Sequence, residues 1–187
     1  MSKDGLVYIA PQLNHCTFNE AEVLGSITWL WMHSKAHQNL PLNTLPRLLL
    51  PVLKTQQFVL GVDADKPVFF LSWALFDEAA EQRYINQNPV RMSAEDWLCG
   101  ERLWVLDVVA PFGGVNQHAR FMSKTLLSNH CWRHLYHNHE RSGMLIKEFK
   151  GRTMSLTSAR QWSDFNSLKQ IPAHCQYLKI GDPRQGQ

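Results

Sequence analysis

The sequence has no long apolar run and no recognisable export signal. Its longest apolar segments, RLLLPVL and PVFFLSWALF, are much shorter than the roughly 18 residues that a membrane-spanning helix needs. The N-terminal segment, MSKDGLVYIAPQLNH, lacks the charged start, the continuous apolar middle and the small-residue cleavage site of a secretory signal. We therefore expect a cytoplasmic protein with no membrane span.

Cysteine is scarce, and charge of either sign is modest. The four cysteines (Cys16, Cys99, Cys131 and Cys175) form no C-x-x-C pair, so in a cytoplasmic chain we expect free thiols. The formal net charge of +3 is too small to indicate a nucleic-acid-binding protein, although it favours an acidic protein partner. With 44% hydrophobic and 19% charged residues over 187 positions, the chain is typical of one globular domain and not of a disordered protein.

Several catalytic and metal-binding motifs are also missing. No G-x-S-x-G motif is present, and the only cysteines next to a histidine are Cys16 and Cys131, so nothing in the spacing favours a covalent serine or cysteine enzyme. His33 and His37 have the spacing of a helical zinc pair but lack the glutamate of H-E-x-x-H. A second cluster of metal-ligating residue types lies in HCWRHLYHNH, with His130, Cys131, His134, His137 and His139. We interpret these as surface histidines near a helix end and expect no metal, zinc being the alternative.

The pattern of apolar residues predicts an α+β domain. Residues 18–33 have helical periodicity after the capping residue Asn19. Pro41 begins a second helix that Pro46 and Pro51 make short or kinked. QFVLGV and PVFFLSWALF flank the turn DADK as a hairpin. The remaining predicted elements are a helix at DEAAEQRYINQ, a strand at RLWVLDVVA, a helix at VNQHARFMSKTLL and a strand at GMLIKEFKG. This order indicates a mostly antiparallel central sheet flanked by helices.

Asp107 is the unusual residue of its predicted strand. A strand such as LWVLDVVAP is usually buried on both faces, where an ionised carboxylate is costly without a partner. Asp107 either bonds to backbone groups or to an arginine such as Arg102, or it orients a catalytic histidine from elsewhere in the chain. Spacing alone leaves these alternatives open.

The turn APFGG joins that strand to the next predicted helix. Its glycines, Gly113 and Gly114, allow close approach of a ligand, and the start of a helix favours an anion such as phosphate. The alternative is an ordinary turn.

Several segments together resemble the RTX toxin-activating lysine acyltransferases. They are LGSITWLWMHSKAH, LPVLKTQQFVL, PVFFLSWALF, EDWLCGERLWVLDVVAPFGG and LIKEFKG, in order from about Leu24 to Gly151. The resemblance implies a fold similar to the GNAT acetyltransferases and a homodimer. It also implies transfer of a fatty acyl group from acyl carrier protein to an internal lysine of an RTX protoxin, with no bound cofactor.

The resemblance also assigns the catalytic residues. The family histidine follows the Trp-Leu-Trp block after Ser-x-x, which makes it His37 and not His33, and the family aspartate opens Asp-x-x-Ala-Pro-Phe, which makes it Asp107. The chain departs from the family where HQNLP lacks a basic and an aromatic residue and where DVVAPF lacks a tryptophan. These departures bear on donor fit, acyl length and toxin partner more than on the reaction.

Further residues are candidates for substrate contact. Trp29 and Trp31 either line an apolar acyl channel or belong to the core. Because acyl carrier proteins are acidic, Arg120 and Lys124, four residues apart on the helix after the glycine turn, are candidates for carrier docking. The alternative there is an ordinary solvated helix face.

His37 is suited to take a proton from the acceptor lysine, and an acyl-histidine intermediate is a second possibility. Two other functions remain as alternatives, a GNAT-like acetyltransferase that uses acetyl-CoA and a toxin-binding chaperone without catalysis. We expect one acyltransferase domain over residues 1–187, with a short N-terminal extension of about residues 1–17 and a frayed C-terminal tail.

Overall fold

In a computed structural model, which describes residues 5–87, 92–138 and 143–186, seven strands form one sheet in the order in which they occur in the chain. The strands are β1 (Leu6–Ile9), β2 (Phe58–Asp63), β3 (Lys66–Phe76), β4 (Arg102–Val109), β5 (Cys131–Asn138), β6 (Gly143–Lys150) and β7 (Cys175–Leu178). The helices are α1 (Pro11–Asn14), α2 (Glu20–Met32), α3 (Leu45–Leu48), α4 (Leu50–Thr55), α5 (Glu78–Asn86), α6 (Val115–Lys124) and α7 (Leu156–Phe165). The α+β class is therefore confirmed.

The chain groups into two compact units, Met1–Ala74 with Leu106–Ala119, and Leu75–Val105 with Arg120–Gln187. The first unit contains the predicted hairpin, in which β2 pairs antiparallel with β3 from Phe58 opposite Ser72 to Asp63 opposite Lys66. The two turn residues between these strands, Ala64 and Asp65, both have positive φ, as a tight two-residue hairpin turn requires. The single domain over residues 1–187 remains a prediction.

Helix α2 of the first unit follows the predicted amphipathic pattern. The Asn19 side chain accepts hydrogen bonds from the backbone N–H groups of Ala21 and Glu22 at 2.9 and 3.2 Å, which satisfies two donors at the helix start. The buried side chains recur at helical spacing, namely Val23, Ile27, Leu30 and Trp31. Because Trp31 belongs to this buried face, Trp29 lies on the opposite face and is exposed.

The sheet is mixed, so the prediction of a mostly antiparallel sheet is wrong. In the second unit β4 pairs with β5 in parallel, β5 with β6 antiparallel and β6 with β7 in parallel. Parallel neighbours need a crossover connection, usually a helix. Helix α6 lies between β4 and β5 in sequence, and α7 lies between β6 and β7. The sequence interpretation missed strand β5, between α6 and GMLIKEFKG, and strand β7, after α7. It therefore missed both crossovers.

The histidine-rich segment is also not a helix end. Cys131–Asn138 form strand β5, in which Cys131 and Arg133 are buried while Trp132 and His134 are partly exposed. Strands also occur where an extension and a frayed tail were expected, because β1 pairs with β2 and β7 pairs with β6.

A buried ionic network lies in the second unit. Arg133 and Glu148 are fully buried on neighbouring strands, and the guanidinium donates to Glu148 Oε1 at 2.9 Å and to the equally buried Glu81 Oε1 at 2.6 Å. The Trp104 indole also donates to Glu81 Oε1, at 2.8 Å. Tyr177 donates to Glu148, and burial, the largest cause, raises the pKa of this phenol. Each buried charge thus has several partners, as charges in a low-dielectric core require.

No helix in the described part of the chain is both long enough and apolar enough to cross a membrane.

Candidate active site

His37 is held in a tight turn directly after helix α2. The helix ends at Met32, and the chain then continues in hydrogen-bonded turns in which Ser34 N–H donates to Trp31 O at 3.1 Å and His37 N–H donates to Ser34 O at 3.0 Å. The His37 ring is therefore attached to the end of a packed helix through two short backbone links. This attachment places it on a rigid element, as a catalytic group requires.

The His37 ring contacts Asp107 of strand β4. Nε2 of His37 lies 3.2 Å from Oδ1 of Asp107, and their side chains are 16% and 21% exposed. Of the alternatives left open for Asp107, the contact with a histidine is the one present. Both groups are shielded but reachable, which suits side chains that exchange a proton with a substrate.

The second nitrogen of His37 is also engaged. The Ser34 hydroxyl lies 2.8 Å from Nδ1. Because an ionised carboxylate has no proton to share, we assign the proton of neutral His37 to Nε2, the nitrogen that faces Asp107 Oδ1. Nδ1 then carries the lone pair and accepts from the Ser34 hydroxyl. The Ser34–His37–Asp107 set is thus a hydroxyl, an imidazole and a carboxylate in series.

Trp31 completes this arrangement. Its indole Nε1–H donates to Asp107 Oδ2 at 3.2 Å, and its ring stacks on the His37 ring with centroids 4.8 Å apart and planes inclined by 26°. Trp31 is 6% exposed. Of the two alternatives for this residue, core or acyl channel, Trp31 therefore belongs to the core.

The proposed alternative partner of Asp107 is engaged elsewhere. Arg102 forms ion pairs with Glu81 and Glu78. Asp107 is also not fully buried, so the expectation of a strand buried on both faces fails at this position.

His33 occupies a different environment from His37. Its Nδ1 lies 2.8 Å from Trp29 O, which accepts the ring proton. Its ring lies between Trp29 and Phe112, with centroid distances of 4.4 and 5.2 Å. Trp29 is 42% exposed and Phe112 is 54% exposed. The three rings form an exposed aromatic cluster, defined here as Trp29, His33 and Phe112.

The glycine turn has the expected backbone geometry. Gly113 and Gly114 have φ of +95° and +77°, a left-handed conformation that side chains other than glycine rarely adopt. The Gly113 N–H already donates to Ala110 O at 3.1 Å, so it is not one of the free anion-binding donors expected from the sequence. Helix α6 then begins at Val115 and carries Arg120 and Lys124, both exposed.

The two histidine patterns form no metal centre in residues 5–87, 92–138 and 143–186, where no group of three or more His, Cys, Asp or Glu side chains is placed to hold an ion. His134 Nδ1 instead lies 2.8 Å from Val105 O. His139 falls outside the described residues, as does the side chain of His137.

Sequence reasoning missed two contributors to the site. The Ser-x-x-His spacing was used only to choose between His33 and His37, although the same spacing brings the Ser34 hydroxyl to the ring. The hydrogen bond between Trp31 and Asp107 joins residues 76 positions apart, and no local pattern indicates it.

Comparison with known proteins agrees with the motifs. Residues 16–150 match the RTX toxin acyltransferase family. The chain is similar to the protein-lysine myristoyltransferase RtxC of Kingella kingae, with 37% identity over 138 residues, 74% of this chain and 81% of the relative. It is also 33% identical to the protein-lysine palmitoyltransferase CyaC of Bordetella bronchiseptica over 158 residues, 83% of each chain. The protein-lysine myristoyltransferase HlyC of Escherichia coli is 37% identical over 103 residues, 55% of this chain and 60% of the relative.

Proposed function

The chain belongs to the RTX toxin acyltransferase family, and we propose that it moves a fatty acyl group from acyl carrier protein to an internal lysine of an RTX protoxin. It is a protein-lysine acyltransferase of the toxin-activating type, like the myristoyl- and palmitoyltransferases to which it is similar. The observation that carries the catalytic part of the proposal is the 3.2 Å contact between His37 Nε2 and Asp107 Oδ1. We propose His37 as the general base and Asp107 as its orienting group.

The reaction needs a base because of the acceptor. A lysine side chain has a pKa of about 10.4, whereas free imidazole has a pKa of about 6.5. Complete proton transfer before attack would therefore cost about 5 kcal/mol. Because the ammonium nitrogen has no lone pair, its first proton must leave before the nitrogen attacks, and a base beside it must also take the second proton as the amide forms. General-base assistance of this kind contributes about 10²–10⁴-fold.

Asp107 and Ser34 give His37 the correct tautomer for this task. The carboxylate holds the proton on Nε2 and stabilises the imidazolium that forms, so Nδ1 is the basic nitrogen. The Ser34 hydroxyl, 2.8 Å from Nδ1, both donates and accepts. It receives a proton from the lysine ammonium while its own proton passes to Nδ1.

The transfer step balances without a cofactor. The lysine nitrogen attacks the thioester carbonyl carbon, the C–N bond forms, and the C–S bond breaks. The lysine ammonium loses two protons on the way to the amide. The first, taken by His37 through Ser34, is released to solvent. The second leaves the nitrogen after the C–N bond forms and passes through the imidazole to the departing sulfur, which leaves as a thiol. His37 returns to its neutral form, ready for the next acyl donor.

The fatty chain needs an apolar surface, and we propose the aromatic cluster for it. Trp29 and Phe112 each expose a large apolar area. His33, whose ring lies between them, is attached to the same α2 end as His37. Covering such exposed aromatic surface with an alkyl chain is favourable, by about 25 cal/mol for each Å² removed from water.

The carrier contact that we propose is electrostatic. Arg120 and Lys124 lie four residues apart on α6 and therefore share one helix face. No described acidic residue forms an ion pair with either of them, which leaves both available to an acidic carrier. Gly113 and Gly114 at the start of this helix let the carrier approach the backbone closely.

We also propose a homodimer and a fold of the GNAT type, both implied by the family resemblance. The mixed sheet flanked by helices is compatible with the GNAT proposal. Light scattering of the purified protein at two concentrations measures the dimer directly.

The donor is tested by supplying acyl carrier protein and coenzyme A thioesters of the same fatty acid in parallel, with a protoxin fragment as acceptor. We expect lysine acylation, measured by mass spectrometry, with the carrier thioester and little with the coenzyme A thioester. Preference for acetyl-CoA would establish the acetyltransferase alternative, and tight protoxin binding without acylation by any donor would establish the chaperone. A reaction without protoxin that leaves an acyl group on His37 would replace direct transfer by an acyl-histidine intermediate.

A further inference from the structure

One buried side chain contacts both proposed catalytic groups. The Trp31 indole donates through Nε1–H to Asp107 Oδ2 at 3.2 Å, and the same ring stacks on the His37 imidazole at 4.8 Å between centroids. Asp107 therefore has a different partner on each oxygen, His37 on Oδ1 and Trp31 on Oδ2.

Such a two-sided arrangement fixes a torsion that is otherwise soft. Rotation about the last side-chain bond of an aspartate has broad, shallow preferences, so the contact with His37 would not by itself define the plane of the Asp107 carboxylate. An indole nitrogen can only donate a hydrogen bond. The Trp31 N–H therefore always bonds to a carboxylate oxygen of Asp107, whichever tautomer His37 adopts. With Oδ2 held, Oδ1 is presented to Nε2 of His37.

Trp31 can act in this way because the core holds it. Its side chain is 6% exposed on the buried face of α2, together with Ile27 and Leu30. Its backbone carbonyl also accepts from Ser34 N–H at 3.1 Å, which starts the turn that carries Ser34 and His37. Trp31 is thus linked to Asp107, His37 and Ser34.

We infer that Trp31 is a positioning residue for the acyl transfer, which sets the orientation of Asp107 and the plane of the His37 ring. This inference rests on the proposed function of the His37–Asp107 pair. The stacked ring also acts on the charged state, because an aromatic face attracts a cation. The Trp31 ring therefore favours the imidazolium that forms during the reaction over the neutral imidazole that precedes it, whereas the Trp31 N–H weakens the attraction of Asp107 for this cation.

The test separates the two contributions of Trp31. Trp31→Phe keeps an aromatic ring beside His37 but removes the N–H donor, and Trp31→Leu removes both. We expect kcat to fall about 10- to 100-fold in Trp31→Phe, the range for a hydrogen bond to a charged group, with KM for donor and protoxin nearly unchanged. Without the indole donor, Asp107 attracts the imidazolium more strongly, so the rising limb of the pH–rate profile should move to higher pH. Trp31→Leu should bring this limb back toward lower pH and reduce kcat further.

Trp97→Phe is the matched control. Trp97 is equally buried, at 2% exposed, and its indole nitrogen has no hydrogen-bond partner among the described residues. This variant should lose packing as Trp31→Phe does while keeping kcat and the pH–rate profile. Near-normal kcat with an unmoved profile in Trp31→Phe, or an equal loss of kcat in Trp97→Phe, would overturn the inference.

A second measurement needs neither a Trp31 variant nor an active enzyme. In Asp107→Ala the Trp31 indole loses its acceptor, so its proton resonance should move upfield and its exchange with solvent should accelerate, while the Trp97 resonance stays in place. An unmoved Trp31 resonance would show that the contact is absent and would defeat the inference. If the wild-type protein acylates no protoxin, the proposed function fails instead, and the NMR result still decides whether Trp31 holds Asp107.

Discussion

Asp107 Oδ1 lies 3.2 Å from His37 Nε2, although one residue comes from the middle of a strand and the other from a turn after a helix. The turn that carries His37 is held by its own backbone hydrogen bonds, Ser34 N–H to Trp31 O and His37 N–H to Ser34 O. A contact of this kind between an imidazole and a carboxylate is the recurring form of an oriented general base.

His37→Ala should abolish acyl transfer while leaving the fold intact, because it removes the proposed base at a partly exposed position. His33→Ala should retain most activity, since the His33 ring does not contact Asp107 and the two large exposed rings of the aromatic cluster, Trp29 and Phe112, remain for the acyl chain. The measurement is mass spectrometry of the protoxin fragment, with circular dichroism as the check on folding. An inactive His33→Ala beside an active His37→Ala would reverse the assignment.

Asp107→Asn should lower kcat by about 10²–10⁴-fold, the contribution expected of general-base catalysis. The amide can donate to Nε2, which favours the tautomer with its proton on Nδ1 and removes the base. Carrier binding should weaken much less than kcat, because orientation acts on the transition state. The double variant with His37→Ala should be little worse than His37→Ala alone, and strictly multiplicative losses would argue against a coupled pair.

Ser34→Ala should reduce kcat because Nδ1 loses the hydroxyl that lies 2.8 Å away, and we expect about 10-fold or more, the scale of one hydrogen bond to a charged group. Ser34→Thr retains a hydroxyl and should keep more activity than alanine. Equal rates for the alanine and threonine variants would remove Ser34 from the relay.

Two glycines should respond to alanine in opposite directions. Gly25 lies in the middle of helix α2 and is exposed to solvent, and no atom lies within 4 Å of the position that an alanine methyl group would take. Gly25→Ala should therefore stabilise the fold by up to about 1 kcal/mol. At Gly151 the same methyl group would lie 2.1 Å from Leu127 O and 2.2 Å from Ser128 O, and the strain should cost about 1–3 kcal/mol or more. Urea unfolding midpoints measure both effects, and a destabilised Gly25→Ala would indicate a contact that covers this face of α2.

Stability should decrease as the pH falls below about 6.5, the pKa of an unperturbed histidine. His118 is buried, with the Tyr8 hydroxyl 2.7 Å from its Nδ1, and burial lowers the pKa of His118. The unfolded chain therefore binds this proton more readily than the folded chain, so acid favours unfolding. In His118→Gln the urea midpoint should change less between pH 7.5 and about 5.5, and an unchanged slope would exclude His118 as a cause.

Local patterns in the sequence were sufficient for the elements that position the site. Asn19 marked the start of α2, the alternation around DADK marked the hairpin, and the isolated charge of Asp107 indicated a need for a partner. The partner itself was chosen through the family resemblance, because spacing did not distinguish a histidine from Arg102.

What the sequence did not indicate depends on contacts between distant residues. Arg133 and His134 made the β5 segment look like polar surface, since nothing near them in the chain shows that Glu148 and Glu81 neutralise Arg133 in the core. The parallel pairings of β5 and β7 depend on which strands the crossover helices join, which is a property of topology and not of periodicity. Trp31 looked like any apolar helix residue until its indole nitrogen was placed on Asp107.

The buried network of Glu81, Arg133 and Glu148 also restricts how this chain can evolve. Loss of any one member breaks a buried ion pair, at a cost of about 3–5 kcal/mol, which is a large part of the roughly 5–15 kcal/mol that holds a typical domain together. Single substitutions at these positions are therefore close to lethal for folding, whereas a simultaneous exchange for apolar residues of similar size is tolerable. Homologues should retain the whole set or lack all of it, and chains with only part of it should be rare.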